Sequence, residues 1–214
     1  MNTVEREEHV SAKPARRRLG PLGTALDRRL NRLQDEYLRG SPVARAELAK
    51  LRRGLGKPAG DVPAIWDSTI AAVPVSLRGS DDFGPSIAEQ ATHSVFTLFA
   101  AHQQSMTMRA HVEAVSFGRA VGMLAQAEGR SAEAVTRRFM AVATAQSIDE
   151  VLTHIRGLVT QLRTAKQGFD YARLADDLAG LLTPGRAQRV RLAWGREFYR
   201  TPSASDTEPE PAQP

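Results

Sequence analysis

Apolar residues recur at three- and four-residue spacing through almost all of the chain between about residues 24 and 200, the signature of amphipathic helices. Thr24 can cap a first helix in which Leu26, Leu30, Leu33 and Tyr37 share a face, closed by Gly40. Ser41-Pro42 has the form of an N-cap followed by proline at the first helical position, opening a helix to about Arg53 with Ala44, Leu48 and Leu51 as its apolar stripe. A further helix is expected from about Pro63, burying Val62, Ile65, Trp66 and Ile70, before a loop through Pro74 and Gly79-Ser80-Asp81-Asp82. A longer one from about Ser86 to Gln104 carries Ile87, Ala91, Val95, Leu98 and Phe99.

The second half continues the pattern. Ser116 opens a helix with Val121 and Leu124, Gly129 ends it, and Ser131 caps the next, which buries Val135, Phe139 and Val142. Ser147-Ile148-Asp149-Glu150 reads as a capping box ahead of the wide apolar face Val151, Ile155, Leu158, Val159 and Leu162. Asp170 starts a helix with Leu174, Leu178 and Leu181, and Pro184-Gly185 leads into the last, with Val190, Trp194 and Phe198. Strand-like alternation and internal repeats are both missing. The expected fold class is all-α, a helical bundle in two lobes, 21–108 and 109–200. Residues 1–20 are charged and aperiodic and read as a disordered basic arm, and the acidic, Pro-rich stretch 201–214 as a disordered tail.

Charge adds a second layer. The 214 residues hold 29 Lys and Arg against 24 Asp and Glu, for a net +5, but Asp206, Glu208 and Glu210 lie after Arg200, so residues 1–200 carry +8. Lys13, Lys50, Lys57 and Lys166 are the only lysines; every other base is arginine, whose planar fork of donors suits phosphate oxygens. With no cysteine, disulfides, thiolate metal sites and cysteine nucleophiles are excluded. No run approaches the 18 or so apolar residues of a membrane span and the N-terminus has no apolar signal core, so the expectation is a cytoplasmic protein with no membrane partner.

Enzyme chemistry finds little support. Gly54-Leu55-Gly56-Lys57 suggests a phosphate loop, but Leu51 stands where its first glycine is needed and Pro58 where Ser or Thr would follow the lysine, so it reads as a helix terminator and turn. His9, His93, His102, His111 and His154 show no metal-ligand spacing, and no G-x-S-x-G elbow occurs. The pairs Asp81-Asp82, Asp149-Glu150 and Asp176-Asp177 read as a loop, a cap and a solvated helix face. Neither a metal nor a cofactor is expected.

The arginines are the candidate chemistry. Arg45 and Arg52 share one flank of the second helix and Arg53 lies nearly opposite its apolar stripe, while Arg52 and Arg53 sit at its C-terminus, where the helix dipole also favours cations. Arg119 falls in the first turn of its helix, where the dipole disfavours a cation unless an anion lies nearby. Arg137 and Arg138 follow Ser131, and Arg156 and Arg163, seven residues apart, border the apolar face of their helix. Snorkelling or an internal ion pair is the alternative for each. Aromatic residues make up only 6% of the chain, so contact with a backbone, without base reading, is the sharper expectation.

The ordered segments Ala44-Arg45-Ala46-Glu47-Leu48-Ala49-Lys50-Leu51-Arg52-Arg53-Gly54, Val115-Ser116-Phe117-Gly118-Arg119-Ala120-Val121, Arg137-Arg138-Phe139, Asp170-Tyr171-Ala172-Arg173-Leu174-Ala175 and Arg189-Val190-Arg191-Leu192-Ala193-Trp194 resemble the CasB family, the small subunit of the type I-E CRISPR complex Cascade. The resemblance covers about residues 24–200. It implies a non-catalytic, all-helical protein with two lobes, present as a head-to-tail pair. Its implied partners are other Cascade subunits, crRNA, target DNA and the displaced single strand of the R-loop. By motif position Arg52, Arg53, Arg119, Arg137, Arg138 and Arg156 inherit the nucleic-acid role, with Lys50, Arg45 and Arg163 as further candidates. Two other functions compete with this one. A helix-turn-helix regulator would use 131–146 and 147–166 and bind duplex sequence-specifically, and a structural scaffold would pair its arginines with acidic protein surfaces.

Overall fold

The computed structural model describes residues 17–80 and 84–200. The expected arm up to residue 16, the tail 201–214, and with them Asp81, Asp82 and His9, lie outside the described residues. The described chain is helical throughout, its one bridge being a parallel pairing of His111 with Phe169. Its elements are α1 (Pro21–Leu38), α2 (Pro42–Arg52), α3 (Trp66–Thr69, after a 3-10 turn Pro63–Ile65), α4 (Ile87–Gln103), α5 (Phe117–Gln126), α6 (Ala132–Thr144), α7 (Ile148–Thr164), α8 (Tyr171–Leu182) and α9 (Ala187–Phe198).

Helix α4 is the axis of the bundle. Ala91, Val95, Phe96, Phe99 and Ala100 are fully buried around its circumference, as expected for a helix enclosed on all sides. Helices α1, α2, α7 and α8 pack around it, so residues on either side of position 108 share one cluster of buried side chains. Ser86 starts α4 with a capping box: its Oγ accepts from the Glu89 amide at 3.2 Å and the Glu89 carboxylate accepts from the Ser86 amide at 2.7 Å. At Ser147 the expected box is only half formed. Ser147 Oγ accepts from Glu150 N at 3.2 Å, but Glu150 Oε2 reaches one residue further back, to Gln146 N at 2.8 Å.

Helix α1 starts at Pro21, three residues before Thr24, because its cap comes from elsewhere in the fold. Gly20 offers no side chain, and Asp176 of α8 supplies one, accepting from Gly20 N at 2.7 Å and Gly23 N at 2.9 Å. The two helices approach closely at Gly23, where a Cβ would lie 2.5 Å from the Ala172 carbonyl oxygen. Asp176 is thus a cap, not part of a solvated face. Its neighbour Asp177 is not solvated either, for Oδ2 accepts from the indole N–H of buried Trp194 at 2.7 Å.

Another expectation fails at 63–70. The helix there is only a 3-10 turn and the single turn α3, and Pro74 stops any continuation. Ile65 is buried as expected, whereas Trp66 is 45% exposed and donates its indole N–H to the Gly60 carbonyl at 2.8 Å.

The second half closes around aromatic rings. Phe117 of α5 meets Phe139, Phe169 and Trp194, Phe139 stacks on Phe198, and Phe169 stacks on Tyr171. A polar strap ties this cluster to α1. The His111 Nδ1 accepts from the Tyr171 amide at 3.0 Å, which leaves the Nε2 proton to donate to Asp27 at 3.1 Å. Arg17, inside the segment expected to be a free arm, donates to the buried Asp170 carboxylate at 2.5 and 2.6 Å and to Asp27 at 2.8 Å. Two buried or half-buried carboxylates are costly without a cation, and Arg17 reaches both.

The Asp177 carboxyl is pushed up to about 6, chiefly by desolvation, with Trp194 acting in the opposite sense. A raised acid stabilises the fold while it is protonated, so this contribution is full below about pH 4 and lost as the pH rises through 6. Asp177→Asn keeps an acceptor for Trp194 and carries no charge to desolvate. The variant should exceed the wild type by roughly 1 to 2 kcal/mol at pH 8 and lose that advantage near pH 4, as read by urea unfolding at the two pH values.

Candidate nucleic-acid interface

The nine basic candidates separate by their surroundings. Arg45 and Lys50 are exposed on α2, Arg52 is half-buried at its last turn, and Arg53 is the exposed C-cap. Burial of Ala44, Leu48 and Leu51 fixes this arrangement, because it turns the opposite flank outward. Arg137 and Arg138 are exposed on α6, whose buried positions are Val135, Phe139 and Val142. Arg156 is exposed on α7. Among the described residues, these seven side chains form no hydrogen bond or ion pair.

The chain after α2 curls through a turn that returns to the core. The Gly54 carbonyl faces His93 Nε2 at 3.0 Å, and burial of that imidazole lowers its pKa. Gly56 has φ +79°, the left-handed region that favours glycine. The guanidinium of Arg156 lies directly over it, for a Cβ at Gly56 would stand 2.3 Å from Nη2. The fold therefore brings Arg156 to the turn that follows Arg52 and Arg53, a juxtaposition that no local sequence pattern announces. It also brings in Lys57, which in one dimension looks like part of a helix terminator and nothing more. No local signal marks it, because its place beside Arg156 follows from the packing of α7 near the turn.

Two candidates bond within the chain. Arg119 Nη1 donates to the Arg200 carbonyl at 2.6 Å, just past the end of α9, where the negative end of a helix dipole favours a cation. That contact supplies a local reason for the arginine in the first turn of α5. Arg163 Nη1 donates to the Ala101 carbonyl near the end of α4 at 3.2 Å. On α9, Arg191 donates to the Ala145 carbonyl at 2.6 Å, while Arg186, Arg189 and Arg196 are exposed. Elsewhere acids neutralise the arginines: Arg29 lies 3.8 Å from Glu47, Arg109 pairs with Asp35, and Arg173 lies 3.9 Å from Glu197.

His93, His102 and His111 behave as core residues. Desolvation lowers the His102 imidazole to about 3, and His111 is held neutral between Tyr171 N and Asp27. His154 lies 3.7 Å from Glu150. Among the described residues no group of three or more His, Asp or Glu is placed to hold a metal, and no helix is long and apolar enough to cross a membrane.

The class so defined is an all-helical bundle presenting arginines on α2, α6 and α7 without acidic partners among the described residues. The profile of CRISPR-associated protein Cse2 (CRISPR_cse2) matches residues 47–199, and the chain belongs to that family. The crystal structure of CasB from Thermobifida fusca is 36% identical, covering 86% of this chain and 100% of its own, with a TM-score of 0.72. CasB from Thermus thermophilus is 26% identical, covering 85% of this chain and 99% of its own, with a TM-score of 0.62. A chain of a CRISPR RNA-guided surveillance complex shares the fold at 23% identity and a TM-score of 0.65, over 83% of this chain and 93% of its own. No curated protein matches the chain in sequence.

Proposed function

We propose that this chain is the non-catalytic small subunit of a type I-E Cascade complex, gripping nucleic-acid backbone without reading sequence so as to stabilise the R-loop. The observation that carries this reading is the convergence of Arg52, Arg53 and Arg156 on one turn with no acidic partner among the described residues. A stable protein has little use for uncompensated cations gathered at one place, whereas a phosphate chain neutralises them and releases counterions. Membership of the Cse2 family, and a shared fold with a chain of a surveillance complex, supply the setting. The partners are other Cascade subunits, a second copy arranged head to tail, crRNA, the target strand and the displaced strand, in the cytoplasm. R-loop formation exchanges one duplex for another of similar stability, so backbone contacts of about 1 kcal/mol each are enough to tip it.

The test is R-loop lifetime in a reconstituted complex carrying Arg52→Glu and Arg53→Glu. The lifetime should shorten at least about thirtyfold, the equivalent of removing two such contacts, with repulsion adding to the loss. An unchanged lifetime in a fully assembled complex would falsify the proposal. Internal bonds at Arg119, Arg163 and Arg191 favour a second reading, a scaffold, to the extent that part of the arginine set holds this chain together. That reading is distinguished by failure of assembly with unaltered single-strand affinity.

A further inference from the structure

Beside the 54–58 turn lies a groove of about 460 Å³, within the roughly 300–1,000 Å³ of small-ligand sites. Ala91 and Leu98 of α4, Leu152 of α7 and Leu178 of α8 contribute apolar lining, to which Pro58 and Pro85 add two compact apolar rings. Ser94, Thr97 and Thr153 also line it, but each hydroxyl donates to a carbonyl of its own helix, so the walls keep few free donors. Lys57 and Arg156, both exposed, belong to the same lining. Arg156 is held there by its close approach to Gly56 and has no hydrogen bond or ion pair among the described residues. Two acceptors complete the set: Gln90 donates its amide N–H to the Pro85 carbonyl at 2.8 Å and keeps Oε1 available, and Asp149 places a carboxylate in the first turn of α7.

Apolar walls, two cations at one side and carbonyl and carboxylate acceptors at the other suit a flat, amine-bearing ring attached to an anion. We propose that the groove takes a single unstacked base of a bound single strand, with its flanking phosphate on Lys57 and Arg156. This rests on the single-strand binding of the proposed function and deepens it. The 54–58 turn then has a role beyond ending α2, because Gly56 both adopts the positive φ of the turn and, having no side chain, leaves room for the Arg156 guanidinium. Asp149 repels a phosphate, so the anion sits on the Lys57 side and the amine edge of the base faces α7. Grip at this point depends on the presence of a base and favours one that carries an exocyclic amine.

The experiment compares binding of an oligocytidine strand with that of an abasic strand of equal length and phosphate charge, at one salt concentration, for the wild type and for Ser94→Leu. The serine is half-buried on α4, and leucine there fills the groove without interrupting the helix. Wild type should bind the base-bearing strand about fivefold more tightly. Ser94→Leu should bind both strands with the wild-type affinity for the abasic one. Equal wild-type affinities overturn the inference, leave the backbone-gripping function standing and return the groove to a partner's protein side chain. Absence of binding to either strand overturns the function itself. The wild-type comparison decides the matter even where the variant folds poorly.

Discussion

Replacing Gly118 and Gly122 together by alanine should cost about 3 to 5 kcal/mol and release the last helix from the bundle. Helix α5 crosses α9 with these glycines directly against its backbone. A Cβ at Gly118 would stand 2.3 Å from the Trp194 carbonyl oxygen, and one at Gly122 would stand 2.4 Å from that of Phe198. These neighbours are backbone, so no side chain can rotate away, and the axes must separate. Separation would open the packing of Phe117 on Trp194 and of Phe139 on Phe198, whose ring centroids lie 5.1 and 4.4 Å apart. Urea unfolding should show the drop in stability, and Trp194 emission should move to longer wavelength. Gly157 and Gly195 provide the controls. Each lies within a helix with nothing near enough to meet a Cβ, so alanine at either should gain up to about 1 kcal/mol. If the paired substitution behaves like these controls, close α5–α9 contact is not what holds α9 in place.

The contrast between those glycines marks how far sequence reasoning reaches. The helices were legible because a buried stripe at 3.6-residue spacing is a local property, and Leu26, Leu30, Leu48, Val95, Ile155 and Leu158 are buried as their spacing requires. Phe117-Gly118-Arg119 and Trp194-Gly195-Arg196 look alike in one dimension, and only the crossing of two helices tells a glycine that must be one from a glycine that need not. The same limit explains Asp176 and Asp177. Their pattern reads as a solvated face because their partners, the amides at Gly20 and Gly23 and the indole of Trp194, come from other helices.

At the site the limit took another form. Exposure of Arg45, Arg137 and Arg138, and half-burial of Arg52, followed from the buried stripe of their own helices. The contact of Arg119 with Arg200, and that of Arg156 with the Gly56 turn, depended on tertiary packing. Gly23 is a further case: along the chain it is an ordinary residue near the start of a helix, and in the fold it is the point where α1 meets α8. A cation's position along a helix can be computed from sequence, but whether an internal carbonyl already occupies it cannot.

That distinction sets the second large expectation. Changing Arg52, Arg53, Arg137 and Arg138 to alanine should lower affinity for single-stranded nucleic acid at least 100-fold at low salt, with no drop in thermal stability. These side chains form no bond among the described residues, so the fold gives up little when they are shortened, whereas a bound backbone gives up as many as four phosphate partners. Each phosphate partner removed from a single strand should reduce the steepness of log K against log salt by about 0.7. The two wild-type and variant lines should therefore converge as salt rises, which a merely misfolded variant would not produce. Arg119→Ala with Arg163→Ala should behave in the opposite way. Both guanidinium groups already donate to carbonyls, at 2.6 and 3.2 Å, so their removal should lower the unfolding temperature by several degrees and change the salt slope less. Equal slopes for the wild type and the fourfold variant would move α2 and α6 out of the nucleic-acid interface. The grip would then have to come from Lys57, Arg156 and the groove between them, where a base supplies part of the affinity and salt removes less of it.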